Sequence, residues 1–181
     1  IYGEQKEQPI KEHFTPKPIS NYAKTKLEGE KIIQNFSRGL DVKALSLRYF
    51  NPVASHKDNL VKEDYSNSDN LMSMILQAAK KDRNSISIYG KNYDTKDGTC
   101  ERDFIHIDDV ILGHFQALER IDQIEEFDQI NLGTGLNISI LELINAFKEV
   151  NKIEFSVKYT SPRTGDIEKN YADVNKAKKV L

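Results

Sequence analysis

Residues 20–52 constrain the fold of this chain more than any other stretch. Tyr22, Lys26, Gly29, Ile33 and Phe36 recur at intervals of four, three, four and three, which is one stripe of a helix. Lys24, Glu28, Lys31 and Asn35 mark the opposite, solvated face, where the charges pair at helical spacing. The stripe is expected to face inward, with Gly29 marking a close approach to another element. The helix is expected over residues 20–37 and Gly39 ends it. Residues 42–49 follow as an apolar run of the kind found in a buried parallel sheet. Asn51-Pro52 is expected to stop that strand, since proline cannot continue a central ladder. Ile1-Tyr2-Gly3 reads as the end of an earlier strand meeting a turn. Strand, helix and strand make one βαβ unit, and the class is therefore α/β.

The remainder alternates in the same way. Residues 3–19 hold three of the five prolines, Pro9, Pro16 and Pro18, among polar residues, which is loop chemistry. A polar loop is expected over 53–67. A helix is expected over 70–81, with Leu71, Met74, Ile75, Ala78 and Ala79 on one face. Ile86, Ile88 and Tyr89 make a short strand closed by Gly90, and a turn-rich loop runs over 91–101. Residues 104–107 form another strand, after which Asp108 or Asp109 is expected to cap a helix carrying Val110, Ile111, His114, Phe115 and Leu118. His114 reads as a hydrogen-bonded core histidine, because its helical neighbours Val110 and Leu118 cannot coordinate a metal. Ile130-Asn131-Leu132 is a strand and Gly133-Thr134-Gly135 a turn. Ser139 and Glu142 fit a capping box opening a helix to about residue 150. Ile153, Phe155, Val157 and Tyr159 then alternate with polar residues, as in a half-buried strand. Asp173 is expected to cap a last helix.

Charge excludes some function classes. Lysine and arginine total 26 against 28 acidic residues in 181, a formal net charge of −2, which leaves no electrostatic footprint for nucleic acid or an anionic membrane. No apolar run approaches the roughly 18 residues of a membrane span. The one cysteine, Cys100, cannot form an internal disulfide, so a cytoplasmic location is expected and no nucleophilic role is assigned to it. No metal site is expected. The chain opens without methionine and carries no G-x-G-x-x-G loop, so it is expected to be a fragment without the cradle for a dinucleotide pyrophosphate, cut again at Leu181.

Tyr22 and Lys26 carry the first chemistry. A free phenol has a pKa of about 10 and is a poor base unless a nearby positive charge stabilises the phenolate. Lys26, one turn on, can supply that charge. The two make a proton-transfer pair for a hydroxyl-bearing substrate, the step that accompanies hydride transfer to a nicotinamide. Preceded by Ser20-Asn21, this helix resembles the active-site helix of the short-chain dehydrogenase/reductase superfamily.

Four further stretches resemble one subgroup, the UDP-galactose 4-epimerases, in the expected order. The first is Leu47-Arg48-Tyr49-Phe50-Asn51-Pro52-Val53, at the carboxyl end of a parallel strand where ligands bind. Read alone it is aromatic core with an asparagine holding a turn. The resemblance puts Tyr49 and Phe50 at the cofactor and Asn51 on the substrate; the family's Gly-Ala-His is replaced by Ala54-Ser55-His56. The second is Asp69-Asn70-Leu71-Met72. Asn70 alone reads as an ordinary N-cap, whereas the resemblance implies substrate contacts from Asn70 and Leu71 at a helix terminus that favours anions. The third and longest runs from Ile88 to Asp109 and contains Tyr93-Asp94-Thr95-Lys96-Asp97-Gly98-Thr99 and Arg102-Asp103-Phe104-Ile105-His106. It implies Tyr89 against the uracil and Arg102 at the diphosphate, with Asp103 and His106 holding loop and strand together. The fourth is Pro162-Arg163-Thr164-Gly165-Asp166, one residue shorter than the family's common form. It implies Arg163 at the diphosphate and Asp166 on the ribose hydroxyls. Four residues on, Asn170 holds the position that gates sugar size, and its intermediate volume leaves N-acetylated sugars open.

The resemblance implies the C-terminal part of a Rossmann-type parallel sheet plus a smaller α/β substrate-binding lobe. Residues 1–52 would be the remnant of the NAD-binding domain with its catalytic helix, and 53–181 mainly the substrate lobe interleaved with Rossmann elements. It implies a parent enzyme that interconverts UDP-glucose and UDP-galactose with NAD as cofactor, as a homodimer: Tyr22, helped by Lys26, takes the hydroxyl proton while the C4 hydride passes to NAD and returns to the other face. The fragment itself is expected to be inactive. A 4,6-dehydratase and a non-catalytic UDP-sugar-binding module are the alternatives.

Overall fold

The computed structural model describes residues 1–56, 58, 65, 68 and 70–181. Most of the loop expected over 53–67, and Asp69, lie outside them. Helix α1 spans Asn21–Leu40; the Ser20 side chain caps it by accepting from the Ala23 N–H at 3.1 Å. It ends later than expected. Gly39 stays helical, and Asp41 takes the left-handed conformation at φ 53° with its N–H on the Ser37 carbonyl.

Strand β1, Ala44–Tyr49, follows α1, and β2, Asn51–Val53, comes directly after it. Pro52 therefore does not stop strand pairing. A break at Phe50 passes the chain from one partner to the next, and Pro52 sits in a short parallel pair opposite Ile105, where the Asn51 N–H bonds the Asp103 carbonyl.

Helix α2 (Leu71–Ala79), strand β3 (Ser85–Tyr89), the two-residue β4 (Glu101–Arg102), β5 (Phe104–His106) and helix α3 (Ile107–Glu119) come next. The α3 cap is His106, whose Nδ1 accepts from the Asp108 N–H at 3.1 Å; Asp108 and Asp109 lie in the first turn, where the helix dipole favours them. A single 3-10 turn, Ile121–Gln123, leads to β6 (Phe127–Leu132) and β7 (Ile138–Ser139). Helix α4 (Ile140–Asn151) opens on the expected capping box, with Ser139 and Glu142 exchanging both bonds. Strands β8 (Ser156–Thr160) and β9 (Lys169–Asn170) and helix α5 (Asn175–Val180) complete the chain, with Asp173 Oδ1 accepting from the Asn175 N–H ahead of α5.

Four of the five strand pairings are parallel: β1 with β6, β2 with β5, β3 with β8, and β4 with β9; β7 runs antiparallel to β4. Ile1-Tyr2-Gly3 makes no ladder with a described strand. Tyr2 is instead buried and held by its hydroxyl, while its carbonyl accepts from the Lys17 N–H.

Two apolar cores result. Ile105, Val110, Ile130 and Leu132 join β5, α3 and β6 beneath β1, with Leu45 and Leu47 packed against them. Met74, Ile75, Ala78, Ile86, Ile88 and Ile144 join α2, β3 and α4. Between them, the Asp103 carboxylate is fully buried and accepts from the Thr134 N–H and Oγ1–H, the Gly135 N–H and the Ala172 N–H, at 2.7 to 3.1 Å. It ties the β4–β5 junction to the turn after β6 and to the segment before α5.

Candidate active site

A cleft of about 860 Å³ opens at the carboxyl end of β1, the position at which open α/β sheets bind ligands. Tyr22, Lys26, Gly29 and Ile33 of α1 form one wall. Tyr49, Phe50 and Asn51 form the floor, and Thr164, Gly165, Ile167 and Asn170 the far side. Lys26 Nζ stands 5.2 Å from the Tyr22 ring centroid, and Tyr22 is 71% exposed. One turn of helix therefore presents a phenol and an ammonium to the same open space.

The stripe that holds them is not the inward face of α1, as its periodicity leads one to expect. The face packed against this chain is the neighbouring one, with Ala23, Leu27 and Gln34 half-buried and Glu30 and Ser37 buried. Phe36 is 63% exposed, and a Cβ on Gly29 would meet nothing within 4 Å. The reason is polar. Arg48 makes a two-pronged ion pair with Glu30, its Nε at 2.9 Å from Oε2 and its Nη2 on Oε1, and Ser46 Oγ–H adds a bond to Oε2 at 2.7 Å. The Ser37 hydroxyl contacts the Val42 and Glu126 carbonyls.

Arg48 itself is 8% exposed and reaches further. Its Nη1 donates to the Tyr2 hydroxyl at 2.8 Å and to the Glu12 carbonyl at 3.1 Å, and the Tyr2 O–H donates to Asn131 Oδ1 at 2.6 Å. Arg48 and Asn131 are register partners across the β1–β6 ladder. Burial alone would raise the Glu30 carboxyl, but the bonds from Arg48 and Ser46 outweigh it and hold Glu30 below its ordinary value. Burial also pulls on the Arg48 guanidinium, and its Glu30 and Tyr2 partners more than compensate. Burial pushes the Tyr2 phenol up. Glu30, Arg48 and Tyr2 have no signature in the sequence, since 18 and 46 residues separate Arg48 from its two partners.

The expected site residues divide into three groups. Tyr22, Lys26, Tyr49, Phe50, Asn51 and Asn170 share the cleft. Tyr89, at the end of β3, meets Arg163, whose guanidinium carbon is 3.7 Å from the ring centroid and which precedes Thr164 and Gly165. Asp166 closes a turn through its N–H on the Arg163 carbonyl. Arg102 Nη1 bonds the Ile167 carbonyl at 2.6 Å and the Glu101 carbonyl at 2.9 Å, so Arg102 also pins that segment to β4. Asn70 caps α2, its Oδ1 accepting from the Ser73 N–H at 2.8 Å, and Leu71 packs against the α2 core.

A smaller apolar groove of about 390 Å³ lies between Tyr49, Pro52 and α3. Its one titratable side chain besides Tyr49 is His114, which is exposed rather than in the core, with Nδ1 on the Val110 carbonyl at 2.8 Å. Burial pushes the Cys100 thiol up, away from the thiolate a nucleophile needs. No group of metal-ligating side chains occurs among the described residues, and none of their helices is long and apolar enough to cross a membrane.

Comparison with known proteins adds a lineage to this geometry. Residues 1–133 match the NAD dependent epimerase/dehydratase family. The UDP-glucose 4-epimerase of Drosophila melanogaster is 39% identical over 186 aligned residues, covering 100% of this chain and 53% of the relative. The fold superposes with a TM-score of 0.94 on the UDP-glucose-4-epimerase of Stenotrophomonas maltophila, solved with bound NAD and formylated UDP-arabinopyranose; the identity is 34%, covering 99% of this chain and 54% of that one. The Bifidobacterium longum enzyme, in complex with NAD+ and UDP, superposes at 0.90 with 34% identity over 99% and 54% of the two chains. The chain thus spans about half the length of the curated relatives it matches, and its parallel α/β fold is theirs.

Proposed function

This chain belongs to the NAD dependent epimerase/dehydratase family, and from that premise we propose that it supplies the proton-transfer pair and most of the sugar-nucleotide contacts of a UDP-glucose 4-epimerase. The observation that carries the reading is the meeting of Tyr22 and Lys26 with Asn51 and Asn170 around one cleft. The named activity of the relatives and the NAD and UDP-sugar bound in their structures support it.

The residues present fit the nicotinamide and sugar end of the cofactor site: Tyr49 and Phe50 line the same cleft as the Tyr22 phenol and the Lys26 ammonium. When bound there, NAD supplies the acceptor and later the donor of the C4 hydride. Tyr22 takes the proton of the 4-hydroxyl and returns it. Lys26 holds a positive charge over the Tyr22 ring, its Nζ 5.2 Å from the centroid. Asn51 and Asn170 bind the hexose from floor and far wall. Arg163 and Arg102 receive the diphosphate, Tyr89 the uracil and Asp166 the ribose, with Asn70 and Leu71 contacting the nucleotide from the start of α2. In this reading residues 1–52 are the end of the cofactor domain and most of the rest is substrate lobe. The exposed Ile32, Ile33, Phe36 and Leu40 of α1 support a homodimer, and the single buried thiol suits the cytoplasm.

The test is conversion of UDP-galactose to UDP-glucose by the protein that carries this chain, with NAD in catalytic amount. Release of water from the sugar would favour a dehydratase. Binding of UDP by the chain without NAD binding or turnover would favour a non-catalytic sugar-nucleotide module.

A further inference from the structure

We propose that Glu30 and Arg48 are positioning residues for the Tyr22–Lys26 pair, their buried ion pair setting the rotation of α1 on β1 and so turning the proton-transfer face into the cleft. The catalytic consequence rests on the function proposed above; the geometric claim rests on the pair itself.

Among the described residues, α1 buries little apolar surface that would fix one rotation. Its large apolar residues Ile32, Ile33, Phe36 and Leu40 are exposed, and the packed face offers only Ala23 and Leu27, both half-buried. Apolar contact is non-directional and tolerates small rotations, whereas a guanidinium–carboxylate fork does not. Glu30 lies one turn beyond Lys26, so its Cα is about 6 Å along the axis at 1.5 Å per residue, and any rotation of Glu30 is carried to Lys26 and Tyr22.

The other half of the pair is as well placed. Arg48 immediately precedes Tyr49, Phe50 and Asn51, the cleft floor, and is itself held from the far side by the Tyr2 hydroxyl and the Glu12 carbonyl. One ion pair therefore locks the wall that carries the proton-transfer groups to the floor that receives the substrate. Proton transfer demands hydrogen-bond reach, and a displacement of about 1 Å can cost about 100-fold in rate.

Stability and position make different demands, which allows a test. A buried ion pair can often be replaced by apolar side chains of similar volume without loss of stability, while removal of one partner strands a buried charge. The experiment uses the protein that carries this chain with Cys100→Ser, Lys24→Cys and Glu119→Cys, nitroxide labels on the two exposed new thiols, and distances by pulsed electron resonance. Glu30→Gln and the double variant Glu30→Leu/Arg48→Met are compared with the parent. The expected result is a narrow distance distribution in the parent and a shifted or broadened one in both variants. The double variant melts within a few degrees of the parent, yet its kcat for UDP-galactose falls roughly 10- to 100-fold with KM within about threefold. Should Glu30→Gln fail to fold, the double variant carries the comparison, since it leaves no charge stranded. An unmoved distance distribution in a folded double variant, or an unchanged kcat there, overturns the inference. If the parent does not epimerise UDP-galactose, the proposed function fails by itself, and the distances alone decide whether the pair positions α1.

Discussion

The Arg163 guanidinium stacks on the Tyr89 ring with its central carbon 3.7 Å from the ring centroid, so two residues assigned to opposite ends of one nucleotide touch each other. Tyr89 ends β3 and Arg163 lies in the segment between β8 and β9. Such a contact is worth about 0.5–2 kcal/mol according to its desolvation, enough to hold the guanidinium against the ring.

Arg163→Ala is accordingly expected to weaken UDP binding by about 10- to 100-fold, the worth of charge-assisted bonds to a diphosphate, and to change uridine binding by less than about threefold. Calorimetry with the two ligands separates the outcomes. Equal losses for both would mean that Arg163 acts on the base and not on the phosphates.

Tyr22→Phe removes the only phenol that lines the cleft from α1 and is expected to abolish turnover while leaving UDP affinity within about twofold. Lys26→Met keeps the phenol but removes the charge beside its ring, and a fall in kcat of about 100-fold or more is expected. Initial rates between pH 6 and 10 check both.

Asp103 accepts four hydrogen bonds in full burial. Asp103→Ala strands those donors and is expected to cost about 3–5 kcal/mol, read from urea midpoints. Gly133→Ala tests the same junction from the other side. Its Cβ would lie 2.4 Å from Asp103 Oδ2 and 2.9 Å from the Ala172 Cβ, neither of them the end of a flexible side chain, so it too destabilises the fold.

Glu30 gives a pH signature. Its folded carboxyl is held below the unfolded value by Arg48 and Ser46. The stability from that difference is fully present above the unfolded pKa, about 4.3, and disappears as pH falls through the lower folded value. The melting temperature of the parent should therefore fall more steeply below about pH 4.5 than that of Glu30→Gln, which has no such group to protonate. Parallel slopes for the two proteins would remove Glu30 from the acid transition.

Local chemistry made much of this molecule legible. The Ser139–Glu142 capping box and the Asn70 cap read directly, because each is a contact across three residues whose partners the chain itself supplies in order. The helix–strand alternation determined an α/β chain with parallel pairing, since short apolar strands separated by helices leave few other ways to bury both faces. Two readings went astray, one through a neighbouring side chain and one through a distant partner. His106 displaced Asp108 and Asp109 as the α3 cap, and Asp103 at the end of β4 engaged the Asn51 backbone so that Pro52 could pair rather than stop.

Tyr22 and Lys26 show the division most clearly. Their four-residue spacing by itself determined that a phenol and an ammonium share one helical face. Which way that face points was decided only in three dimensions. Periodicity favours burying Ile33 and Phe36, but the fork from Arg48 to Glu30 and the Ser37 bonds to Val42 and Glu126 rotate the neighbouring stripe inward and leave Tyr22 and Lys26 to the cleft. Rotation of a helix is set by the directional bonds that it makes with other elements, and those partners, from 5 to 89 residues away, lie beyond the reach of any local pattern.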